Sequence, residues 1–410
     1  MTAALLPIAR AALAGPWTRA ALATRLAAVP LHAAPNRDPE DLATRLLDLS
    51  PSPFFGPPEA LARLLAELPR HQPPPATPPR PRWRAEVPRW ETPAELAAAL
   101  RLTPGELDWF ADVRTWNRRA APPLRHYRHR WLGARPVEAP KPRLAELQRR
   151  LNRLLLNQLP VHEAAHGFRP GRSAATFAAP HAGAALVARF DLAGFFTSIT
   201  AARLRAYFCH LGYPGNVAAA LTGLLTTVTP AEVLRDAPPG AERHRLAAPH
   251  LPQGAPSSPA IANALAARLD RRLAGLAERI GAAYTRYADD LAFSGDLPLD
   301  RLRDGVRRIA TDEGFRLHPG KTRIAAAHQR QRLAGLVVNH RPAVPRADYD
   351  QLRAVLHNCA RTGPAAQNHA GHPDFRAHLL GRIGWVAATH PVRAARLRAL
   401  FDDIDWGGND

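Results

Sequence analysis

Two adjacent aspartates, Asp289 and Asp290, lie at the centre of residues 285–294, a short segment rich in aromatic and β-prone residues. The pattern predicts a β-hairpin whose tight turn can bring one or both carboxylates to a shared site. A third acid, Asp191, ends the apolar run at residues 184–190, which is typical of a buried central strand. Three carboxylates offer hard oxygen ligands that suit Mg²⁺ or Mn²⁺, and a pair of such ions can promote attack on a phosphate. The alternative is a solvated acidic pair in an ordinary turn.

A turn-rich loop, LPQGAPSSP at residues 251–259, leads into a predicted helix. Ser258 is a candidate N-cap with Pro259 at the first helical position, and apolar residues four apart then predict a buried stripe. Gly254 would let the backbone approach a nucleotide or a template base closely. Taken alone, the same pattern also fits an ordinary helix start.

The charge of the chain points to a polyanionic partner. Its 410 residues carry a formal net charge of +20, and of 55 lysines and arginines only Lys141 and Lys321 are lysines. Nucleic acid is the commonest partner for such a surplus, and a basic surface without a partner is the alternative. Cys209 and Cys359 make neither a disulfide framework nor a thiolate cluster, which predicts a reducing cytoplasm. Arginines interrupt the apolar N-terminus, so neither a signal peptide nor a membrane span is predicted.

A proline-rich stretch divides the chain. Residues 1–68 are rich in alanine, leucine and arginine, with apolar positions at helical spacing, and predict a helical N-terminal extension. Residues 69–82 cannot hold a helix or a central strand and predict an extended linker. Globular patterning begins at Trp83, after which Thr92 and Thr103, each followed by proline and a later glutamate, predict two capped helices.

Three further elements are predicted in the globular part. A long basic helix is expected over residues 143–159, and a helix over residues 299–311. A short strand over residues 315–317 would then lead to the Pro-Gly turn that precedes Lys321.

Three segments together resemble the palm motifs of bacterial reverse transcriptases, especially the retron-type enzymes: FDLAGFF at residues 190–196, LPQGAPSSP at 251–259 and YADD at 287–290. They occur in the order expected for that family. Further matches flank them: GFRPGRS at residues 167–173, HPGKT at 318–322, LAGLVVN at 333–339 and GRIGWV from residue 381. The resemblance runs from about Trp83 to Trp406 and leaves the first 82 residues uncovered.

The resemblance implies an RNA-directed DNA polymerase, a nucleotidyltransferase that extends a primer on an RNA template with two Mg²⁺ (or Mn²⁺) ions. Asp191, Asp289 and Asp290 would be its catalytic, metal-binding carboxylates, and the Leu192 carbonyl an extra ligand. Lys321 matches a lysine that protonates the departing pyrophosphate. A lysine in so arginine-rich a chain agrees with an acid role, since arginine cannot give up a proton near neutral pH; the alternative is a surface lysine beside a turn.

The resemblance also implies nucleotide contacts. Phe196 falls where an aromatic ring excludes a ribonucleotide 2′-hydroxyl, so DNA synthesis is expected, whereas Phe195 is assigned to the core. Arg135, and secondarily Arg130, would clamp the triphosphate, a task that suits a guanidinium fork, although either could be a solvated charge. Contacts with the incoming nucleotide, template or primer are further assigned to Gln253, Gly254, Tyr287, Gly335, Leu336 and Arg169.

The implied fold class is α+β, a right-hand polymerase. Fingers would span residues 83–184, a palm of antiparallel strands with the primer-grip segment 185–344, and a helical thumb 345–410, after the extension 1–68 and the linker 69–82. Thumb arginines would follow the duplex backbone. The expected partners are a structured non-coding RNA that serves as template and primer, its cDNA and dNTPs, with an effector protein as a candidate. Antiphage defence in the cytoplasm is the expected role, without a membrane.

Two other hypotheses come from different classes. One is a catalytically silent RNA-binding protein on the same fold. The other is a zinc hydrolase, because HEAAH at residues 162–166 fits a zinc-protease pattern. Gly167 and Pro170 would end any helix directly after His166, which disfavours it. The chain also lacks the family's usual Asn-Ala-x-x-His (FAAPH at 177–181) and Val-Thr-Gly (LAG at 333–335), so the cognate RNA is not identified.

Overall fold

The protein was analysed as a computed structural model that describes residues 2–34, 38–50, 53–67 and 83–406. Its contacts divide the chain into two compact units, residues 1–80 and residues 81–410. The predicted linker at residues 69–82 lies outside the described residues. None of the helices in the described ranges is long and apolar enough to cross a membrane.

The first unit contains four helices in its described part: α1 (Thr2–Leu13), α2 (Arg19–Ala27), α3 (Pro39–Leu49) and α4 (Pro58–Glu67). Leucines four apart, such as Leu42 with Leu46 and Leu61 with Leu65, are buried in one shared apolar core. The Asp38 side chain accepts a hydrogen bond from the Glu40 N–H and caps α3.

The second unit begins with short helices and a β-hairpin: α5 (Pro93–Leu100), α6 (Pro104–Ala111), α7 (Trp116–Arg119), β1 (Tyr127–Leu132), β2 (Arg135–Pro140), α8 (Pro142–Leu154) and α9 (Ala174–Ala178). Thr92 caps α5 and Thr103 caps α6, as the sequence predicts, and Thr103 forms a reciprocal capping box with Glu106. β1 and β2 pair antiparallel, with Leu132 opposite Arg135 at the turn.

A four-stranded antiparallel sheet forms the centre of this unit, with the strand order β4-β5-β3-β6. Its strands are β3 (Leu186–Asp191), β4 (Ala283–Tyr287), β5 (Asp290–Gly295) and β6 (Arg323–Ala326). β3 lies between β5 and β6, and Val187, Ala188 and Phe190 are all buried. The prediction of a central strand that ends at an acid is therefore confirmed.

The same unit contains the helices α10 (Ala201–Leu211), α11 (Gly215–Leu225), α12 (Ala231–Arg235), α13 (Arg243–Leu246), α14 (Ser258–Arg279) and α15 (Leu299–Asp312). Of these, α10, α11, α14 and α15 bury residues in the core that they share with the sheet. On α14, the predicted stripe Ile261, Leu265, Leu269 and Leu273 is buried against this core. The prediction of α15 is also confirmed.

The C-terminal part contains a small hairpin and four helices: β7 (Arg332–Leu333), β8 (Leu336–Val337), α16 (Arg346–Thr362), α17 (Pro364–Gln367), α18 (Phe375–Ala387) and α19 (Pro391–Asp402). Leu352, Leu379 and Leu397 belong to one core that joins α16, α18 and α19.

Three local predictions were wrong in detail. The basic helix leaves helical geometry at Leu155, whose backbone has φ −134° and ψ −57°, and a short 3₁₀ turn follows. The strand at residues 315–317 is only a single bridge between Leu317 and Leu192. Ser258 is the first residue of α14 instead of its N-cap, and its hydroxyl donates to the Pro252 carbonyl at 2.6 Å.

Candidate active site

The sheet register brings the three acids together. Asp191 on β3 lies opposite Asp290 on β5, so the end of one strand meets the hairpin turn of the other two. Next to this pair, the Leu192 N–H donates to the Asp289 carbonyl at 2.9 Å. β4 ends at Tyr287, opposite Asp290, and leaves Ala288 and Asp289 as the two turn residues. The acids are thus joined at the backbone although about a hundred residues separate them.

The carboxylates of these acids have different partners. Asp191 accepts hydrogen bonds from the Lys321 ammonium, which is 3.0 Å from both of its oxygens. The Asp290 carboxylate is bound by Arg189, whose Nε lies 2.8 Å away. Asp191 and Asp289 line a cavity of about 730 Å³, and Lys321 lines it too. Only two of the three carboxylates therefore face the open space.

The electrostatics of the cavity favour a bound cation. Burial raises the pKa of Asp289, and the nearby Asp191 carboxylate raises it further, while Arg135 and Lys321 oppose both effects. Burial also raises the pKa of Asp290, against the attraction of Arg189. A positive charge between two repelling carboxylates would favour their ionised forms.

The donor set fits an open site for a hard divalent ion better than a closed cage. The described residues contain no cluster of three or more His, Cys, Asp or Glu side chains in a metal-binding arrangement. Two carboxylates on a cavity leave most of the coordination sphere to water or substrate oxygens, which is how Mg²⁺ is usually held.

Aromatic side chains form one wall of the cavity. Phe196 is half-buried and Phe195 is buried in the core as expected, and both are among the residues that line the cavity. The Phe168 ring centroid lies 6.2 Å from that of Phe196 and 6.4 Å from that of Tyr287. Phe168 also lines the cavity, is 49% exposed and has a left-handed backbone (φ 60°). Phe168 belongs to the matched motif at residues 167–173, but the sequence assigns this ring no role, because its exposure to the cavity cannot be read from the sequence.

The β1–β2 hairpin brings one of the two predicted arginines to the cavity. Arg135, at the turn, lines it together with Gln253 from the loop before α14. Arg130 is exposed in the middle of β1 and is not among the residues that line the cavity. The loop is attached to the hairpin, because the Glu138 N–H donates to the Gln253 carbonyl at 2.8 Å.

The backbone of Gly254, predicted to approach a nucleotide or a template base, lies close to the β1–β2 hairpin. Its backbone has φ 127°, and a β-carbon there would lie 3.3 Å from the Glu138 carbonyl oxygen. A side chain at this position would therefore crowd β2 slightly and would strain the backbone, because this φ favours glycine.

The four remaining predicted contact residues, Tyr287, Arg169, Gly335 and Leu336, are not among the residues that line the cavity. Tyr287 packs against Phe177, with ring centroids 5.7 Å apart. Arg169 donates to the His162 and Ala165 carbonyls and so stabilises the loop to which it belongs. Gly335 turns the β7–β8 hairpin with φ 83°, and the Leu336 side chain is buried in the core, so only its backbone can meet a ligand.

A segment that sequence reasoning missed closes another side of the cavity. Gly240, Glu242 and Leu246 line it, and Glu242 pairs with Arg316 at 3.1 Å. Gly194, which has φ 56°, has no room for a β-carbon beside the Glu242 carboxylate. No motif in the sequence marks this segment, because the residues that it contacts in the cavity, such as Gly194 and Arg316, are far from it in the sequence.

The zinc hydrolase hypothesis is wrong. Residues 162–166 form a turn instead of a helix, so the two histidines do not share a helical face. His166 Nδ1 lies 2.9 Å from the Thr176 hydroxyl, and Glu163 pairs with Arg172 at 2.7 Å. Burial and two neighbouring arginines lower the pKa of His166 to about 4, and such surroundings repel a metal cation.

Comparisons with known proteins agree with the geometry. Residues 134–349 match the family described as reverse transcriptase (RNA-dependent DNA polymerase). The retron Mx65 reverse transcriptase of Myxococcus xanthus is 42% identical over 322 residues, which cover 77% of this chain and 72% of that protein. The retron Mx162 reverse transcriptase of the same organism is 37% identical, with coverages of 76% and 66%. The retron Ec86 reverse transcriptase of Escherichia coli is 31% identical, with coverages of 55% and 65%, so the chain spans about two thirds of these two relatives.

Proposed function

Because this chain belongs to the retron-type reverse transcriptases and is therefore an RNA-directed DNA polymerase, we propose that the cavity at the β3–β5 edge is its polymerase active site. The observation that carries the proposal is the meeting of Asp191 and Asp289 on one open cavity, with Lys321 ion-paired to the first. The chemistry is the addition of a dNTP to a primer 3′-hydroxyl opposite an RNA template.

Asp191 and Asp289 would hold two divalent ions, Mg²⁺ or Mn²⁺, with Asp290 as the third carboxylate and the Leu192 carbonyl as a further ligand. When bound, such ions would activate the primer hydroxyl and stabilise the charge on the departing pyrophosphate. Without nucleotide, Arg189 neutralises Asp290 through a contact with its Oδ1. Asp290 would join the metal ligands through its other oxygen, or with Oδ1 after this contact is released.

Three side chains would orient the nucleotide. Arg135 lies close enough to lower the pKa of Asp289 and would meet the triphosphate from the hairpin turn. Phe196 would exclude a 2′-hydroxyl from the sugar position. Gln253, held by the Glu138 backbone, would contact the nucleotide or the template base.

Lys321 is proposed as the proton donor to pyrophosphate. Its ammonium lies 3.0 Å from both Asp191 oxygens, so it is already at the cavity wall before a nucleotide binds. Lysine can release a proton at this position, and arginine cannot.

The domain assignment follows the same reasoning. The fingers would be residues 83–184, the palm 185–344 and the thumb 345–410, preceded by the extension 1–68 and the linker 69–82. Arg130, Arg169, Tyr287 and the Gly335–Leu336 backbone would contact template or primer. The relatives are retron reverse transcriptases, which supports an RNA template as partner. We further propose a structured non-coding RNA, an effector protein and antiphage defence in the cytoplasm as the biological setting.

Primer extension by Asp289→Asn tests this proposal. The substitution keeps the side-chain size and removes the charge, so extension on a defined RNA template with Mg²⁺ should fall by at least about a thousandfold. Asp296→Asn, which changes an exposed aspartate seven residues later, is the matched control and should behave as the parent. Full activity in Asp289→Asn would overturn the site assignment. An inactive parent that still binds RNA would identify the silent RNA-binding protein.

A further inference from the structure

A fully buried ion pair lies beneath the turn that carries Asp289. Arg286 on β4 and Asp270 on α14 both have side chains with 0% exposure. The pair is bidentate, since Arg286 Nε and Nη2 donate to the two Asp270 oxygens, each at 2.7 Å. Tyr284 donates its hydroxyl to the same carboxylate at 2.8 Å.

The third nitrogen of the guanidinium, Nη1, reaches the turn itself. Arg286 Nη1 donates to the Ala288 carbonyl at 3.1 Å and to the Asn263 side-chain oxygen at 3.0 Å. Asn263 in turn donates to the Gly167 carbonyl at 2.8 Å. One arginine therefore connects α14, the turn and the segment around Gly167.

The turn needs this support because its backbone is strained. Ala288 has φ 55°, a left-handed conformation that a residue with a side chain adopts only at a free-energy cost. A β-carbon at Gly167 would lie 2.7 Å from the Ala288 nitrogen, so the backbone at Gly167 lies directly against the turn. Any rotation at Ala288 would move Asp289, the next residue.

Stability alone is a weak reason for such a pair. Taking two charges out of water costs several kcal/mol per ion, and well-packed apolar residues often replace a buried pair without loss. A bidentate arginine offers something else, namely several donors in one rigid plane. Here that plane holds the turn carbonyl and the helix at once.

We propose that Arg286, held by Asp270 and Asn263, is a positioning residue that keeps the Ala288–Asp289 turn aimed into the polymerase cavity. The inference rests on the proposed function of Asp289 as a metal-binding carboxylate. Arg286 does not touch substrate. It acts by holding the turn carbonyl, so it sets the geometry of the carboxylate and thereby the affinity for the ion.

Arg286→Lys is the main test, because lysine keeps the positive charge but cannot make the planar set of contacts. The expected result is a roughly 10- to 100-fold loss in kcat and a weaker affinity for Mn²⁺ by a similar factor, since partners that orient a metal ligand have effects of this size. Mn²⁺ binding is measured without nucleotide, from the electron paramagnetic resonance signal of the free ion. The KM for dNTP and the affinity for primer–template should stay within about twofold.

Tyr284→Phe is the matched control. It removes another hydrogen bond to the same Asp270 carboxylate but leaves the Arg286 contact with Ala288 in place. It should change kcat and Mn²⁺ affinity by less than about twofold. Asn263→Ala keeps the ion pair and loosens the guanidinium, so it should shift both quantities in the direction of Arg286→Lys, and it replaces that variant if the lysine protein does not fold.

The outcomes separate the inference from the function on which it rests. Loss of activity only through a smaller fraction of active molecules, with unchanged Mn²⁺ affinity, would mean that Arg286 is merely structural and would overturn the inference. Equal effects of Tyr284→Phe and Arg286→Lys would also overturn it. If instead the parent neither extends a primer nor binds Mn²⁺, the proposed function fails first.

Discussion

Replacing Glu138 with glutamine should lower the free energy of unfolding by about 3 kcal/mol. Glu138 is on β2 with 0% exposure, and its carboxylate accepts from His250 Nε2 at 2.8 Å and from the Thr229 hydroxyl at 2.6 Å. His250 Nδ1 lies 2.7 Å from the Ala248 carbonyl, so both ring nitrogens face acceptors. Glu138 is thus a buried carboxylate whose partners are a buried imidazole ring and a hydroxyl.

The magnitude follows from what glutamine cannot do. Its amide has one accepting oxygen, so one of the two donors now faces an NH₂ group and stays unsatisfied, at about 1–3 kcal/mol. The attraction between Glu138 and His250 that lowers the Glu138 pKa is also lost, and breaking a buried pair from one side costs about 3–5 kcal/mol. The structure can relax in part, which places the expected loss near the boundary of the two ranges.

The loss should depend on pH in a defined direction. Burial would raise the pKa of Glu138, but the hydrogen bond and the charge of His250, together with Thr229, hold it below its usual value. A lowered folded-state pKa stabilises the native protein above the unfolded-state value of about 4.3 and stops doing so as the pH falls through the folded-state value. The share of the difference between parent and Glu138→Gln that comes from the ionised Glu138 carboxylate should therefore be fully present above about pH 4.3 and shrink as the pH falls below it.

Urea unfolding followed by tryptophan fluorescence measures this difference. Every tryptophan except Trp17 lies in residues 83–406, so the signal follows the second unit. Glu146→Gln is the matched control, because that side chain is 63% exposed and its ion pair with Arg143 lies at the surface, and its change should stay within about 0.5 kcal/mol. A Glu138→Gln protein as stable as the parent, or a deficit that persists undiminished at low pH, would refute the reasoning.

Two further substitutions test the proposed nucleotide site. Phe196→Ala removes the ring from the cavity wall and should raise ribonucleotide incorporation relative to deoxyribonucleotide by about tenfold or more, measured as the ratio of kcat/KM values; an unchanged ratio would show that another group reads the sugar. Lys321→Arg keeps the charge beside Asp191 but removes a transferable proton, and it should lower kcat about 100-fold or more with little change in the KM for dNTP. Lys141→Arg, at a lysine that binds the Pro123 carbonyl, is its control, and equal activities of the two variants would exclude the acid role.

Much of the local structure could be predicted because it depends on neighbours in sequence. The hairpin around Asp289, the buried strand before Asp191 and the caps of α5 and α6 each follow from residues within a few positions of one another. One of the local predictions that were wrong also failed for a local reason. Ser258 was assigned as a cap from its type, but it is already the first helical residue, and its hydroxyl donates to the Pro252 carbonyl.

The partners of the charged side chains could not be predicted in the same way. Arg189 takes the Asp290 carboxylate, Glu138 meets His250, and Arg286 binds both Asp270 and the turn carbonyl. Each contact depends on the strand register and on which rotamer fits among residues far away in sequence. No periodicity encodes that information.

The sequence alone determined the family, the acidic hairpin and the chemistry expected of three carboxylates, because residue types in a short ordered pattern carry those. The tertiary structure decided that Asp191 and Asp289 share the cavity, that the Asp290 carboxylate binds Arg189, and that Lys321 lies beside an acid 130 positions earlier. The physical reason is that packing and burial across the whole chain select the partner of each side chain. A buried charge without a partner is costly, so the fold adopts the arrangement in which most buried charges are paired.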